Sequence, residues 1–286
     1  MKILSIGEII FDIYGADAVI GGAPLNFCAH CVACGAESAL ISAVGKDEYA
    51  AKAMAYLDEF GVSSVFVCEN DLPTGKCIVA VNDGKPSYDV LRPVAYDSVR
   101  IDSEIERIKE YGADVFAFGT LIQRESDSRN ALLKILSECR FEHIFCDLNL
   151  RKNCYDRESC LNCLENADII KLSDEEEPLL SEFGFYEYDK NEETRIKNIC
   201  SSFDNIDIVI FTKGENGSVV YSRASDAFYE FESVETEVVS TVGAGDSYSA
   251  AFLCEYLTSG DIVKAGKAAS ELSAFVVAHR EAIVKK

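Results

Sequence analysis

Basic residues are scarce in this chain. Its 286 residues include 27 lysines and arginines against 49 aspartates and glutamates, which gives a formal net charge of −22 at pH 7. Nucleic acids and anionic membrane surfaces are themselves polyanions, so this deficit argues against both as partners. An anionic small molecule would have to be bound locally, by backbone N–H groups, a metal ion or a few basic side chains.

Long apolar segments are also missing. No apolar run reaches the roughly 20 residues that span a bilayer, and Met1-Lys2 leads directly into a strand-like segment without the shape of a signal peptide. We therefore expect a cytoplasmic protein whose 12 cysteines stay reduced. Cys28, Cys31 and Cys34 recur at helical spacing, and we expect them to pack on an apolar helix face rather than to bind a metal.

Histidine is rare, and the familiar nucleotide-binding signatures are absent. The histidines lie far apart and match no metal-ligand or triad spacing, so we expect each to be structural: His30, His143 and His279. No G-x-x-x-x-G-K-[ST] string occurs, and Tyr248 stands where a dinucleotide-binding fingerprint after Gly243-x-Gly245 requires glycine. These absences exclude the P-loop and Rossmann modes of nucleotide binding.

The most informative segment that is present covers residues 241–252, Thr-Val-Gly-Ala-Gly-Asp-Ser-Tyr-Ser-Ala-Ala-Phe. Gly243 and Gly245 allow bare N–H groups to approach a ligand, and a helix that opens near Ala244 adds the positive end of its dipole. Asp246 falls in the first turn of that helix. Such donors stabilise a transferring phosphoryl group while a carboxylate takes the proton of the attacking hydroxyl, so the segment predicts kinase chemistry. The alternative on these residues alone is a loop that enters a core helix, with Asp246 favourable near the dipole.

The rest of the chain alternates between strand and helix patterns. Strands are predicted at 2–10, 38–44, 115–118, 144–147, 168–171 and 208–212, and helices at 24–34, 48–60, 104–110, 126–139, 157–165, 244–257 and 262–278. Short β-rich pieces at 64–68, 76–82 and 87–91, with a hairpin turn at 82–84, interrupt the alternation, and a late hairpin covers 217–231. The pattern predicts an α/β fold around a mainly parallel sheet with one small β insert.

Polar residues follow five of the predicted strands. In an open α/β sheet, ligands bind beyond the carboxyl ends of the strands, so these groups are expected near one another. They are Glu8 and Asp12; Gly119, Thr120 and Gln123; Asp147, Asn149 and Arg151; Ser173 and Glu176; and Thr212, Lys213 and Gly214. Each group alone is also compatible with capping or turn chemistry.

Taken in order, these residues resemble the motifs of the ribokinase-like (PfkB-type) carbohydrate kinases, and most closely those of the fructokinases. The resemblance runs from end to end. It is carried by Gly7-Glu8 with Asp12, Gly21-Gly22-x-x-x-Asn26, Pro73-Thr74-Gly75, Tyr88, Ala95-Tyr96-Asp97, Phe118-Gly119-Thr120, Asp147-x-Asn149-x-Arg151, Lys171-x-Ser173-x-x-Glu176, Thr212-Lys213-Gly214 and Val242-Gly-Ala-Gly-Asp246.

The resemblance implies a role for each candidate site residue. Asp246 would be the catalytic base, and the amides of Gly243, Ala244 and Gly245 would form the anion hole. The sugar would be bound by Asp12, Gly22, Asn26 and Arg151. Lys171, Ser173, Thr212 and Gly214 would contact the nucleotide, ATP, and Glu176 would orient Mg²⁺, chiefly through water.

The resemblance also implies an architecture. It predicts a three-layer α/β sandwich with a small β-sheet lid. The body would comprise residues 1–12, 21–63 and 98–286, and the lid residues 13–20 and 64–97. In relatives such a lid often also forms the face of a homodimer, and its closure would exclude water from the phosphoryl transfer.

Three positions depart from the family pattern. Ser173 replaces the usual asparagine of the Asn-x-x-Glu motif, Ser240 replaces an aspartate that helps to bind a monovalent cation, and Glu281 replaces a glycine of the same cation loop. Because two of these changes fall around one ion site, we expect activity to depend little on K⁺.

The fructokinase-like motifs narrow the range of possible substrates but do not identify a single sugar. A neutral ketohexose such as fructose is the first choice, with phosphorylation of a primary hydroxyl by ATP. A 2-keto-3-deoxygluconate kinase is the closest alternative, because Arg92 and Arg151 could supply two charges for a carboxylate; ribokinase or nucleoside kinase activity also stays open. A non-catalytic sensor of a sugar or nucleotide is the alternative from another class of protein. The presence of Asp246 together with Gly243 and Gly245 argues for the kinase.

Overall fold

The computed structural model describes residues 1–82 and 85–284. Its strands are β1 (Lys2–Ile6), β2 (Ile10–Tyr14), β3 (Asp17–Gly21), β4 (Glu37–Val44), β5 (Ser63–Glu69), β6 (Gly75–Asn82), β7 (Lys85–Val90), β8 (Val115–Gly119), β9 (His143–Asp147), β10 (Ile169–Ser173), β11 (Ile208–Thr212), β12 (Ser218–Ser222) and β13 (Ala227–Phe231). Its helices are α1 (Ala23–Ala33), α2 (Glu48–Glu59), α3 (Ile105–Tyr111), α4 (Ser126–Glu138), α5 (Arg157–Asn166), α6 (Glu177–Glu182), α7 (Glu192–Ser202), α8 (Ala244–Ser259) and α9 (Ile262–Val277). Asp83 and Gly84 of the predicted hairpin turn lie outside the described residues.

A large sheet forms the centre of the molecule, in the order β13-β12-β11-β10-β9-β8-β1-β4-β5. Neighbouring strands run parallel from β5 to β11, and β12 and β13 return antiparallel. Parallel strands are covered on both faces, which is why they read as nearly continuous apolar runs. Ile3 and Leu4, which are adjacent on β1, are both fully buried on opposite faces of the sheet. Ile3 packs in the cluster with α1, α2, α8 and α9, and Leu4 packs in the cluster with α3 to α7. The predicted three-layer α/β fold is confirmed.

A separate small sheet has the order β3-β2-β6-β7, with a parallel pair β2–β6 at its centre and antiparallel partners outside. It corresponds to the predicted lid sheet, but two sequence assignments were wrong. The segment 64–68 does not join it: β5 pairs in parallel with β4, and Phe66 is buried in the main core. An apolar β pattern states that a strand forms but not which sheet it joins.

The second error concerns the first predicted strand, 2–10. The chain leaves the large sheet after Ile6 and passes beneath α1 at Gly7, where a Cβ would lie 2.3 Å from Pro24 Cγ and only glycine fits. A new strand, β2, begins at Ile10. Asp12 therefore lies in the small sheet and not in the body.

Helices α6 and α7 were not predicted, because residues 174–177 stand out in the sequence only as a run of acidic side chains. In the structure Glu177 is 1% exposed and its carboxylate accepts a bond from Arg195 Nε at 2.8 Å. The pair joins α6 to α7. In the sequence, an acidic residue that is buried and paired with a distant arginine cannot be distinguished from one on a solvated surface.

The cysteines pack largely as expected. Cys28 and Cys31 are fully buried against the large sheet, whereas Cys34, at the end of α1, is exposed. The apolar face of α1 ends one turn earlier than the cysteine spacing suggests. Among the helices that the structure describes, none combines the length and apolarity needed to cross a bilayer.

Candidate active site

The turn before α8 has a geometry that only glycine accommodates. Gly243 precedes the helix with a φ of 81°, and a Cβ there would lie 2.7 Å from the carbonyl oxygen of Ala282. Ala244 and Gly245 form the first turn of α8, whose N–H groups have no carbonyl partner within the helix. The Ala244 N–H makes only a long bond of 3.3 Å to Thr241 O. The three predicted anion-hole residues thus form one turn at the positive end of a helix of 16 residues.

Asp246 lies in the same first turn and points into a cleft. Its Oδ2 accepts a hydrogen bond of 2.8 Å from Asn26 Nδ2 on α1. Burial raises the pKa of Asp246 to about 6, and the nearby carboxylate of Asp147 raises it further, against the lowering effects of Asn26, Lys171 and Arg151. A carboxyl group with this pKa is ionised at neutral pH and more basic than an exposed aspartate.

The cleft, which is open to solvent, lies beyond the carboxyl ends of β1, β8 and β9, and the space in it, counted together with the solvent at its mouth, is about 450 Å³. Its polar lining includes Glu8, Thr120, Asp147, Asn149 and Asp246. The predicted convergence of strand ends therefore holds for the groups after β1, β8 and β9. This cleft is not lined by any of the four predicted sugar-binding residues, Asp12, Gly22, Asn26 and Arg151. One of them, Asn26, bonds to Asp246, which does line it.

A buried ion pair lies beneath the turn. Lys171 Nζ, on β10, is 2.7 Å from Asp147 Oδ2, on β9, and the two side chains are 8% and 16% exposed. Burial alone would lower the pKa of Lys171, but Asp147 and then Glu176 raise it. A Cβ on Gly245 would lie 3.1 Å from the same Nζ, so the ammonium group lies directly against the first turn of α8. Asp147 Oδ1 is buried without a hydrogen-bond partner among the described residues.

Glu8 supports the loop that leads into α1. Its Oε1 accepts a bond of 3.1 Å from Ala23 N, and its carbonyl oxygen lies 2.5 Å from where a Cβ on Gly22 would stand. Gly22 has a φ of 117°, so glycine is required there for two reasons. Burial raises the pKa of Glu8 to about 7, although backbone N–H bonds and Arg151 lower it.

Asp12, on β2 of the small sheet, and Arg151, in the loop after β9 of the large sheet, interact electrostatically. Burial raises the pKa of Asp12, and the guanidinium of Arg151 opposes that rise. The same guanidinium also acts on Glu8 and Asp246. Arg151 is exposed, in a loop flanked by Asn149 and Asn153, both of which have positive φ. It is therefore a cation shared by three carboxyl groups at the mouth of the site.

The predicted nucleotide and metal residues lie at the carboxyl ends of β10 and β11. Ser173 pairs with Thr212 across these strands, and Gly214 follows in a tight turn. Both oxygens of Glu176 accept backbone bonds, from Leu150 N at 2.6 Å and Ser173 N at 2.8 Å. Within residues 1–82 and 85–284, no cluster of three or more His, Cys, Asp or Glu side chains could hold a metal ion.

Glu8 and Asp147 both line the cleft, although neither was assigned a role in the site from the sequence. The signal that could have identified them was their position directly after a predicted strand, which they share with residues that were selected. What the sequence could not provide was their burial and their partners, because these come from other elements of the fold: Ala23 on α1 for Glu8 and Lys171 on β10 for Asp147.

Comparisons with known proteins identify the family of this chain. A family model described as "pfkB family carbohydrate kinase" matches residues 3–286. The chain is 25% identical over 302 residues to a putative sugar kinase of Pyrococcus horikoshii, covering 98% of this chain and 91% of that protein. It is 25% identical over 252 residues to probable fructokinase-5 of Arabidopsis thaliana, covering 85% of this chain and 75% of that protein.

Solved structures show the same fold. An uncharacterized sugar kinase from Pyrococcus horikoshii in complex with ATP matches with a TM-score of 0.84 at 24% identity, covering 98% of this chain and 93% of that chain. A fructokinase from Vibrio cholerae in fructose, ADP and calcium ion bound form matches with a TM-score of 0.83 at 18% identity, covering 99% of this chain and 95% of that chain. Because the family match extends over residues 3–286, the protein belongs to the pfkB family and is a carbohydrate kinase.

Proposed function

We propose that the protein is an ATP-dependent kinase of a ketohexose such as fructose, with Asp246 as the base. The observation that carries the proposal is the position of Asp246, which borders a cleft in the first turn of α8 and is held by Asn26. The names of the relatives support the reaction class: they include fructokinases, and three of the matching structures were solved with ATP.

In the proposed reaction the primary hydroxyl of the sugar attacks the γ-phosphorus of ATP. The hydroxyl proton passes to Asp246, the new oxygen–phosphorus bond forms, and the bond to the leaving ADP breaks. The N–H groups of Gly243, Ala244 and Gly245 stabilise the negative charge on the transferring group. The Ala244 N–H has to exchange its long bond to Thr241 O for a phosphate oxygen, which costs little because the bond is already stretched.

Mg²⁺ fits this site in one specific way. Glu176 already accepts two backbone bonds, but a carboxylate has further lone pairs that can accept from a metal-bound water. Mg²⁺ keeps several waters and commonly takes only one or two carboxylates beside substrate phosphates, so a single glutamate suffices. The ion would neutralise phosphate charge. Lys171, Ser173, Thr212 and Gly214 would flank the nucleotide.

A specific contact favours a neutral sugar over an acidic one. Arg92 Nη2 donates to Asn153 O at 2.6 Å, and its Nη1 lies 3.6 Å from Glu125 Oε1. Arg92, which follows β7 of the small sheet, thus bonds to the loop that contains Arg151. Only Arg151 of this proposed pair is left to meet a substrate carboxylate, which weakens the case for 2-keto-3-deoxygluconate.

The test is an ADP-release assay across fructose, ribose, 2-keto-3-deoxygluconate, adenosine and fructose 6-phosphate at one ATP concentration. We expect the highest kcat/KM with fructose. A higher value with any other acceptor would reassign the substrate, and ADP release that no acceptor stimulates would contradict sugar kinase activity of this chain.

The pH dependence of the reaction should show the ionisation of Asp246. Because the base must be deprotonated and its pKa is about 6, kcat/KM for the sugar should fall as the pH drops below about 6, by about tenfold per further unit. Glu8, with a pKa of about 7, is the group that could be confused with it. Glu8→Gln keeps an oxygen for Ala23 N–H, and the acidic limb should stay near pH 6 in that variant. A limb that disappears with Glu8 would show that Asp246 is not the group observed.

The response to monovalent cations should be weak. The Ser240 hydroxyl accepts a bond of 3.2 Å from Val242 N and brings no charge to the turn, and Glu281 is exposed. We expect similar rates in KCl, NaCl and tetramethylammonium chloride at one ionic strength. A rate that collapses when Na⁺ replaces K⁺ would show that the cation site is intact despite both substitutions.

The small sheet would also serve as a dimer face. Tyr14, Val19 and Tyr88 are 41%, 48% and 56% exposed, and their strand registers place them on one face of this sheet. Exposed apolar side chains grouped in this way are typical of a face that a partner covers. In sedimentation velocity we expect a dimer that Val19→Lys dissociates. The control is Val65→Lys on β5, where an equally exposed valine lies outside the small sheet; if both variants sediment like the unmodified protein, the interface lies elsewhere or is absent.

A further inference from the structure

His30 is the most buried of the three histidines and has a contact that the proposed reaction does not yet use. It lies on α1, is 1% exposed, and its Nε2 is 2.9 Å from the carbonyl oxygen of Ala282, 252 positions later in the chain. His143 and His279, by contrast, are partly exposed and bond to Asp168 and to the backbone of the preceding helical turn. Since a carbonyl only accepts, Nε2 must carry the hydrogen of this bond.

The carbonyl that His30 binds also touches the anion-hole turn. The atom that would lie closest to a Cβ on Gly243 is this same Ala282 oxygen, at 2.7 Å, and Cα and Cβ of Ala282 would both be 3.0 Å away. The backbone of Ala282 therefore occupies the space that a side chain at position 243 would fill. One carbonyl group connects His30 to the turn that presents the amides.

Other contacts of this segment lead to the same turn. Ser273 Oγ on α9 donates to Ala244 O at 3.1 Å, and Val277 O accepts from Val239 N at 2.8 Å and from Ser240 N at 3.2 Å. After α9 the chain has no regular secondary structure through residue 284. Within this segment, Ile283 is buried in the core cluster beside α1, α8 and α9, and the His30 side chain bonds to the backbone of the residue before it.

The placement of His30 on α1 links this support to the base. Asn26 and His30 are four residues apart, which puts them on the same face of α1. Asn26 bonds to Asp246, and His30 bonds to the segment that packs on Gly243. One helix thus contacts both the proposed base and the support of the proposed anion hole.

We propose that His30 is a positioning residue for phosphoryl transfer: its Nε2–H bond to Ala282 holds residues 279–283 against Gly243 and so sets the anion-hole amides relative to Asp246. The inference rests on the proposed function of Asp246 and of the turn. Burial lowers the pKa of His30, which favours the neutral imidazole in this bond.

The test compares His30→Gln, whose side-chain amide nitrogen can replace Nε2, with His30→Leu, which fills similar space and cannot donate. For His30→Leu we expect kcat to fall about 10- to 100-fold, the scale of a small misplacement of catalytic groups, while KM for the sugar stays nearly constant. His30→Gln should recover most of the lost kcat. The control is His143→Leu, a histidine at the amino end of β9, which should keep the kcat of the unmodified protein.

Two further measurements keep the proposal falsifiable if His30→Leu does not fold. His30→Asn is polar but too short to reach Ala282, so it should lose kcat like leucine. Amide hydrogen exchange in residues 279–284 should be faster in the asparagine variant than in the glutamine variant. Equal kcat in the Gln and Asn variants, or unchanged kcat in His30→Leu, would overturn the proposal. Asp246→Asn assayed in parallel separates the two ideas, since full activity in that variant would refute the proposed function itself.

Discussion

Asp246→Asn should lower kcat by about 10³- to 10⁴-fold, the range expected when a positioned general base is removed. Asparagine has nearly the same shape as aspartate and keeps one oxygen that can accept the bond from Asn26 Nδ2. It cannot take the proton of the sugar hydroxyl. The loss should therefore appear in the chemical step and not in the binding of ATP.

The stability of this variant should not fall. The ionised carboxyl of Asp246 is held against burial and against the negative charge of Asp147, as its raised pKa shows. Replacing it by a neutral amide removes that repulsion. Calorimetric titration with a non-hydrolysable ATP analogue and thermal unfolding would check binding and stability, with Asp58→Asn on the exposed surface of α2 as the control. Normal turnover by Asp246→Asn would mean that another group accepts the proton.

Lys171→Met should be the most destabilising of the substitutions considered, by about 3–5 kcal/mol in the free energy of unfolding. Methionine retains the length and apolar stem of lysine but removes the ammonium group. Asp147 would then be left buried, with a remote hydroxyl, Ser249 Oγ at 3.5 Å, as the remaining contact of Oδ2 and none for Oδ1 among the described residues. An uncompensated charge of this kind is what makes removal of one partner costly.

The same substitution should also move the pH dependence. Lys171 lowers the pKa of Asp246 and Asp147 raises it. Without the ammonium group the acidic limb of kcat/KM should shift to higher pH, because the base protonates more readily beside an unpaired carboxylate.

Urea unfolding followed by circular dichroism would measure the effect. The double variant Lys171→Met/Asp147→Asn should regain part of the lost stability, since it no longer buries an unpaired carboxylate at position 147. The control is Lys52→Met on α2, where the lysine is exposed and lies 3.8 Å from Glu48 Oε2; we expect a change of at most about 0.5 kcal/mol there. Two results would contradict this prediction: Lys171→Met as stable as the unmodified protein, or a double variant no more stable than the single one. Either would show that the loss of charge pairing between Lys171 and Asp147 does not determine the free energy of unfolding as proposed.

Much of the proposed catalytic turn could be predicted because it is local. Gly243, Ala244, Gly245 and Asp246 are consecutive, and their chemistry follows from one helix end: amides without intrahelical partners, a positive dipole end and a carboxylate in the first turn. The parallel strands could be predicted for a similar reason, because burial on both faces leaves an apolar run that is visible in the sequence. The alternation of such runs with amphipathic helices then predicted an α/β fold around a mainly parallel sheet, and the family resemblance implied its three-layer arrangement.

Other features depended on contacts that no local pattern contains. β5 reads like a lid strand, and only its pairing with β4 placed it in the large sheet. From the sequence, Arg92 could be a cation that binds a substrate carboxylate. In the structure its guanidinium contacts Asn153 and Glu125 instead. Hydrophobic periodicity records whether a residue is buried and not which distant residue buries it.

The sequence by itself thus determined the class of fold, the order of the motifs and the residue types at the proposed phosphate turn, since each is fixed by neighbours within a few positions. Only the tertiary structure decided the state of these groups: the raised pKa of Asp246, the pairing of Lys171 with Asp147, and the bond from His30 to Ala282. The physical reason is that desolvation and charge interactions act through space, and the groups that produce them here come from helices and strands far apart in the chain.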